Sequence, residues 1–198
     1  MLIVGLTGSI ATGKSTAAVM LRRLHFQVYE SDKTAHQLMG PGGYAVENII
    51  SLFGAEVGNM TSGINRFHLG NLVFADPTKR ELLEQILHPL IHERKLKFIQ
   101  HNRFQRKKVV FLDVPLLFET GGDRDCDRVI TVWCPTFLQT VRALRRQGMT
   151  EEKLSSIVEA QWPQSDKCHL SDLALPSSLG QAETFRRLKR WLKSENLI

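Results

Sequence analysis

Cysteine is scarce in this chain and arranged against pairing. Cys126, Cys134 and Cys168 are odd in number, widely spaced and free of any C-x-x-C pair, which argues against a disulfide framework and a zinc site and fits a reducing cytoplasm. No apolar stretch is long enough to cross a bilayer. The N-terminus has neither the basic stretch nor the cleavage site of a secretory leader, since Leu2 to Leu6 is short and runs directly into a glycine-bearing loop; a cytoplasmic chain without membrane association is expected. A net charge of +6 favours anionic partners, but the positive charge is spread and no aromatic-studded basic strand stands out. That disfavours a nucleic-acid binder, and nucleotides satisfy the same preference. An N-K-x-D and a D-x-x-G after an acidic strand are also missing, which disfavours a guanine-nucleotide switch.

What is present begins at once. Leu2-Ile3-Val4 leads into Gly8-Ser9-Ile10-Ala11-Thr12-Gly13-Lys14-Ser15-Thr16, where Gly8, Gly13, Lys14 and Ser15 fill the pattern G-x-x-x-x-G-K-S/T. Each position has a chemical reason. Glycines let the backbone curl so that successive N–H groups face phosphate oxygens, Lys14 reaches the β- and γ-phosphates, and the Ser15 hydroxyl is a Mg²⁺ ligand. An apolar strand precedes the loop and Ala17, Ala18, Met20, Leu21 and Leu24 follow at helical spacing, the context the motif requires. The helix N-terminus favours the same anion.

The rest of the 198 residues reads as one α/β unit around a P-loop NTPase-type three-layer parallel sheet. Phe26 to Tyr29 is a short second strand ending at Glu30-Ser31-Asp32. Ligands collect at the carboxyl ends of such strands, which places Asp32 near the γ-phosphate, to accept a proton from an attacking hydroxyl or to help hold the Mg²⁺ shell; Ser31 or Asp32 capping the next helix is the plainer alternative. Pro41 to Gln105 is helical with no convincing strand, broken at Asp76-Pro77 and His88-Pro89, and is expected to be an inserted lobe over about 33–106 that forms a wall of the acceptor site. Arg66 stands at a helix start there, and His88 reads as a packed or capping histidine. Val109 to Val114 is a central strand whose Asp113 suits a carboxylate orienting Mg²⁺ through water, and Pro115 to Glu119 is an apolar loop able to pack against an acceptor. Beyond the strand Arg128 to Trp133, helices Phe137 to Gln147 and Glu151 to Gln161 flank a glycine turn and carry Arg142 and Arg146 on one face, as a lid over about 136–170 would. Leu173 to Leu175 and Glu183 to Lys193 complete the core, expected over about 1–32, 107–135 and 171–198.

In this order the motifs resemble those of the dephospho-coenzyme A kinase family over nearly the whole chain. Gly5 to Thr16 is similar to that family's G-L-T-G-G-I-G-S-G-K-S-T, and Glu30-Ser31-Asp32 to its D-A-D. Asn65-Arg66 with Leu69 and Val73-Phe74 resembles I-D-R-x-x-L…V-F, His88-Pro89 its H-P, and Asp113 to Glu119 its D-x-P-L-L-F-E. Arg142, Arg146, Gln161 and Lys167 fall where its lid has R…R…Q…K. Among the departures, Ser9 and Ala11 stand for glycines, which should stiffen the loop and exclude strained backbone angles; Glu30 stands for Asp; Ile157 for an arginine; and Ser177 for an asparagine near the adenine.

The resemblance implies transfer of the γ-phosphoryl group of ATP to the ribose 3′-hydroxyl of dephospho-coenzyme A, the last step of coenzyme A synthesis, with Mg²⁺ as cofactor. It implies catalytic roles for Asp32, Lys14 and Arg142 and nucleotide contacts from Gly8, Ala11, Thr12, Gly13, Lys14, Ser15, Thr16, Arg142 and Arg146. Acceptor contacts would come from Asp32, Arg66, His88, Leu116 and Glu119, and metal contacts from Ser15 and, through water, Asp113. The expected partners are ATP and dephospho-coenzyme A, with no nucleic acid or membrane, on a monomer or weak homo-oligomer. A P-loop kinase for another small acceptor shares most of these features, since fold does not fix substrate.

Overall fold

The structure, a computed structural model, describes residues 1–74 and 76–198. Of the motif Val73-Phe74, the side chain of Phe74 lies outside the described residues. The elements in order are β1 (Leu2–Thr7), α1 (Lys14–Arg23), β2 (Gln27–Glu30), α2 (Ser31–Leu38), α3 (Val46–Phe53), β3 (Gly58–Asn59), β4 (Gly63–Ile64), α4 (Arg66–Phe74) and α5 (Pro77–Phe104). They continue with β5 (Val109–Asp113), β6 (Arg128–Trp133), α6 (Thr136–Leu144), α7 (Glu151–Glu159), α8 (Gln164–His169), β7 (Leu173–Pro176) and α9 (Gln181–Ser194). The chain forms two compact units, one of residues 1–29 with 102–198 and one of residues 30–101.

The first unit is built on a sheet of order β2-β5-β1-β6-β7. β1 pairs in parallel with β5 on one side and β6 on the other, and β6 pairs in parallel with β7. A strand enclosed on both edges and both faces must be apolar almost throughout, which is why Leu2-Ile3-Val4 and Val109 to Leu112 read as continuous runs. Val4, Leu6, Phe111, Ile130, Val132 and Leu175 form one buried cluster with Ala17, Ala18 and Leu21 of α1 and Leu188 and Leu192 of α9. Thr131 alternates with Ile130 and Val132 and so turns to the opposite face, where its hydroxyl donates to the carbonyl of Lys167 in α8 at 3.2 Å. Helices thus cover both faces.

The strand order positions the site. The chain leaves β1 toward β2 on one side and leaves β6 toward β7 on the other, so the β1 and β6 loops diverge at the carboxyl edge. Such a crevice is where open α/β sheets bind ligands.

The second unit packs Leu38, Ala45, Val46, Ile49, Val57, Ile64, Leu69 and Leu87 into its own core. Two expectations are corrected in it. Gly58-Asn59 and Gly63-Ile64 pair as a two-residue antiparallel ladder inside the segment read as strandless, too short to show a period. The break at Asp76-Pro77 does separate two helices, with Asp76 Oδ1 accepting the Thr78 N–H at 3.0 Å, but His88-Pro89 does not: α5 runs through Pro89 for 28 residues. Leu83, Ile86 and Leu87 before the proline and Leu90 and Ile91 after it all pack on the same core, and burial on both sides outweighs the local cost. Proline removes the N–H that the Gln85 carbonyl would accept, a penalty of about 3 kcal/mol in a helix interior. Pro89→Ala is therefore expected to stabilise the protein by about 1–3 kcal/mol, seen as a higher urea midpoint with unchanged slope; an unchanged or lower midpoint would mean that the core is fitted to the proline backbone.

Candidate active site

Gly8 follows β1, where a Cβ would stand 2.5 Å from the Val132 carbonyl oxygen on β6 and 2.8 Å from Thr12 Oγ1, so only glycine passes. Thr12, fully buried, closes the turn by donating its hydroxyl to the Ser9 carbonyl at 2.9 Å. Gly13 caps α1 with φ at +102°, a conformation that costs other residues 1–2 kcal/mol or more (about that much per residue). The first turn of α1 carries no acidic side chain, leaving its positive end for an anion.

The alanine at position 11 does not exclude strained angles, contrary to the expectation above. Ala11 has φ of +61°, and its methyl is buried in a cluster with Ala143 and Leu154. That packing, together with the bonds that hold Ile10, keeps an L-residue where glycine would be easier.

Lys14 opens α1, and its ammonium is ion-paired with Asp113 Oδ1 at the carboxyl end of β5, with side-chain exposures of 14% and 6%. The two residues are distant in sequence but adjacent because Leu6 and Asp113 are register partners across β1 and β5. The Ser15 side chain is exposed at the mouth of the loop. A hydroxyl and a carboxylate oxygen at the head of the loop fit the hard-oxygen preference of Mg²⁺, which usually takes one or two protein ligands and completes its shell with phosphate and water oxygens.

Arg142 of α6 lies beside the loop. Its guanidinium donates to Ser177 Oγ at 2.8 Å and to the Ser177 carbonyl at 3.0 Å, and Ser177 Oγ donates to the Thr12 carbonyl. Ser177 is thus the joint between arginine and phosphate loop. α6 ends at Leu144 rather than running to Gln147, so Arg146 lies beyond the helix, in the turn that follows, and does not share a helix face with Arg142; it is exposed. Cys134, between β6 and α6, is buried, and burial pushes its thiol up despite the nearby Arg142; a neutral thiol is not a nucleophile here.

Sequence reasoning missed two glutamines, Gln139 and Gln164, and gave Gln161 only as a match to the lid pattern. Gln139, 4% exposed, donates to the Ile10 carbonyl at 2.9 Å, and the Ile10 N–H donates to Gln161 Oε1 at 3.0 Å. Gln164 Nε2 donates to Gln139 Oε1 at 2.9 Å, while Gln164 Oε1 accepts the Cys134 N–H at 3.2 Å. The available signal was a polar residue on the apolar stripe of α6. Glu119 also has internal partners: Oε1 accepts the Trp162 N–H at 2.9 Å and lies 2.6 Å from Lys167 Nζ. Leu116 is half-buried, its carbonyl accepting the Thr120 hydroxyl.

In the second unit, Asp32 lies in the first turn of α2 and is exposed. It does not cap the helix, because Glu30 is the N-cap residue and no side-chain capping bond is made. Arg66 is the exposed first residue of α4, behind Asn65, whose Oδ1 accepts the His68 N–H at 3.1 Å and caps that helix. His88 is exposed within α5 rather than packed or capping.

Comparison with known proteins gives the family. The family model described as dephospho-CoA kinase matches residues 2–183. A dephospho-CoA kinase of Rhodospirillum rubrum is 46% identical over 188 residues, covering 95% of this chain and 89% of its own. Among solved structures, TT1252 from Thermus thermophilus superposes with a TM-score of 0.79 at 28% identity, covering 98% of this chain and 97% of its own. Dephospho-CoA kinase from Campylobacter jejuni does so with a TM-score of 0.72 at 25% identity, covering 97% and 96%. Phosphate loop, parallel sheet and full-length similarity point the same way: this chain belongs to the dephospho-CoA kinase family.

Proposed function

We propose that the protein transfers the γ-phosphoryl group of ATP to the ribose 3′-hydroxyl of dephospho-coenzyme A, releasing coenzyme A and ADP. The observation that carries this reading is the match of the dephospho-CoA kinase family to residues 2–183. Phosphoryl transfer asks little covalent chemistry of a protein, so positioning and charge stabilisation must supply the rate. The loop amides around Gly8, Ala11, Thr12 and Gly13 and the N-terminus of α1, with Lys14, Ser15 and Thr16, hold the phosphates. Ser15 directly, and Asp113 through water, would hold Mg²⁺, which when bound would offset negative charge on the phosphates.

Lys14 exchanges its Asp113 partner for phosphate oxygens, which leaves the carboxylate for the metal shell. Arg142 and Arg146 belong to a lid of about residues 136–170 and neutralise negative charge on the nucleotide. Asp32 accepts or orients the proton of the attacking hydroxyl: it is exposed in the first turn of α2. The lobe of about residues 33–106 supplies Arg66 and His88 to the acceptor, and Leu116 supplies apolar contact. The remainder, about 1–32, 107–135 and 171–198, is the catalytic core. The reading implies a reducing cytoplasm, in keeping with three free cysteines, and among the described residues no helix is long and apolar enough to cross a membrane.

The test is ADP release from Mg-ATP with dephospho-coenzyme A, adenosine, AMP or CMP as acceptor. Rapid turnover is expected with dephospho-coenzyme A alone, with coenzyme A as product. Faster turnover with another acceptor would leave a P-loop kinase and remove the acceptor assignment.

A further inference from the structure

Lys167 is the most unusual charge in the first unit. Its side chain is completely buried, its ammonium lies 2.6 Å from Glu119 Oε1, and among the described residues it makes no hydrogen bond of good geometry. Glu119 Oε2 is likewise buried without a hydrogen-bond partner. Burying two charges costs several kcal/mol (roughly that much per ion), and removing one partner leaves the other uncompensated. A pair packed for stability alone would use its remaining oxygens and protons, or be replaced by apolar residues.

The surroundings give the pair a task. Glu119 Oε1 also accepts the Trp162 N–H at 2.9 Å, and the rings of Phe118 and Trp162 stack with centroids 6.1 Å apart. The residue before Trp162 is Gln161, whose Oε1 accepts the Ile10 N–H at 3.0 Å, while the Ile10 carbonyl accepts from Gln139 at 2.9 Å. Two consecutive residues are therefore anchored to different parts of the unit: Gln161 by its side chain to the phosphate loop, Trp162 by its backbone to Glu119. Ile10 immediately precedes Ala11, the residue held in the left-handed region. Without the bonds at Ile10 the loop would have less to hold Ala11 there.

We propose that Glu119 and Lys167 are positioning residues for the phosphate loop: the buried pair fixes the segment between α7 and α8 so that Gln161 holds the Ile10 peptide, and with it the loop amides, in the orientation that receives ATP. This gives Glu119 an internal role in place of an acceptor contact, and it rests on the kinase reading above only for the identity of the nucleotide.

The test uses Glu119→Gln, Lys167→Met and the double variant in the full chain. The readouts are ATP affinity by calorimetric titration, KM for dephospho-coenzyme A and melting temperature. Each single variant is expected to weaken ATP binding about tenfold, the ~1.4 kcal/mol of one decade, with the acceptor KM changed less than about twofold. The double variant has no buried charge and is expected to regain melting temperature while keeping the ATP defect, because a neutral amide beside methionine has no ammonium to hold it under the Trp162 N–H. Recovery of ATP affinity together with stability would reduce the pair to a structural element and overturn the proposal. So would a raised acceptor KM with normal ATP affinity, which would make Glu119 an acceptor contact. Should the single variants not fold, Gln161→Leu carries the test: it is expected to weaken ATP binding equally, with no further loss when combined with the double variant, and additive losses would sever the connection. ATP titration needs no acceptor, so failure of wild-type turnover with dephospho-coenzyme A would fall on the acceptor assignment and leave this result standing.

Discussion

Lys14→Ala is expected to lower kcat/KM for phosphoryl transfer by about a thousandfold, the loss typical of removing a preorganised charge from the transition state. The lysine ammonium is a compact point charge on a flexible stem, able to leave Asp113 and meet phosphate oxygens without moving the backbone. Its position at the first residue of α1 adds its charge to the helix terminus on the same anion. The variant also leaves the Asp113 carboxylate, 6% exposed, without its ammonium partner, so a loss of stability of roughly 1–3 kcal/mol accompanies the loss of activity. Lys14→Met combined with Asp113→Asn separates the two effects: with neither charge present, stability returns toward wild type while activity stays low. Steady-state ADP formation and urea unfolding on the same samples measure both. Near-normal turnover in Lys14→Ala would remove the phosphate loop from the mechanism.

Much of this site was legible because its parts are local. The loop glycines, Lys14 and Ser15 lie in one nine-residue stretch whose spacing is dictated by backbone curvature, and Asp113 ends an apolar run whose meaning follows from sheet burial. Register brings Asp113 to Lys14. What stayed hidden depends on contacts between distant segments. Gln139 and Gln164 look like ordinary helix polar residues until α6 and α8 fold against Ile10 and Cys134. Glu119 reads as the polar end of an apolar loop, and only the buried position of Lys167 reveals its internal partner. Ala11 misled for a physical reason: alanine disfavours positive φ by local sterics, yet its methyl is buried beside Ala143 and Leu154, and tertiary packing overrides a local preference of about 1–2 kcal/mol. Pro89 misled in the same way, since apolar residues on either side of it share one core.

Asp32→Asn is the sharpest test of the chemistry, because little else depends on this side chain. Asp32 is exposed in the first turn of α2 and makes no capping bond, so its replacement should change stability by no more than about 0.5 kcal/mol, the usual scale for such surface positions. Asparagine keeps the shape and one acceptor oxygen but cannot take up a proton. If Asp32 removes the proton of the attacking hydroxyl, kcat falls by about a hundredfold to ten-thousandfold, the range of general base catalysis, with ATP affinity unchanged. If it only orients the hydroxyl, the amide oxygen still accepts that hydrogen bond and the loss is about tenfold or less. Asp32→Ala divides the cases further: a proton acceptor makes Asn and Ala equally inactive, whereas an orienting residue leaves Asn well above Ala. Single-turnover measurement of phosphoryl transfer, with ATP binding titrated separately, distinguishes these outcomes, and near-normal turnover in both variants would remove Asp32 from the reaction.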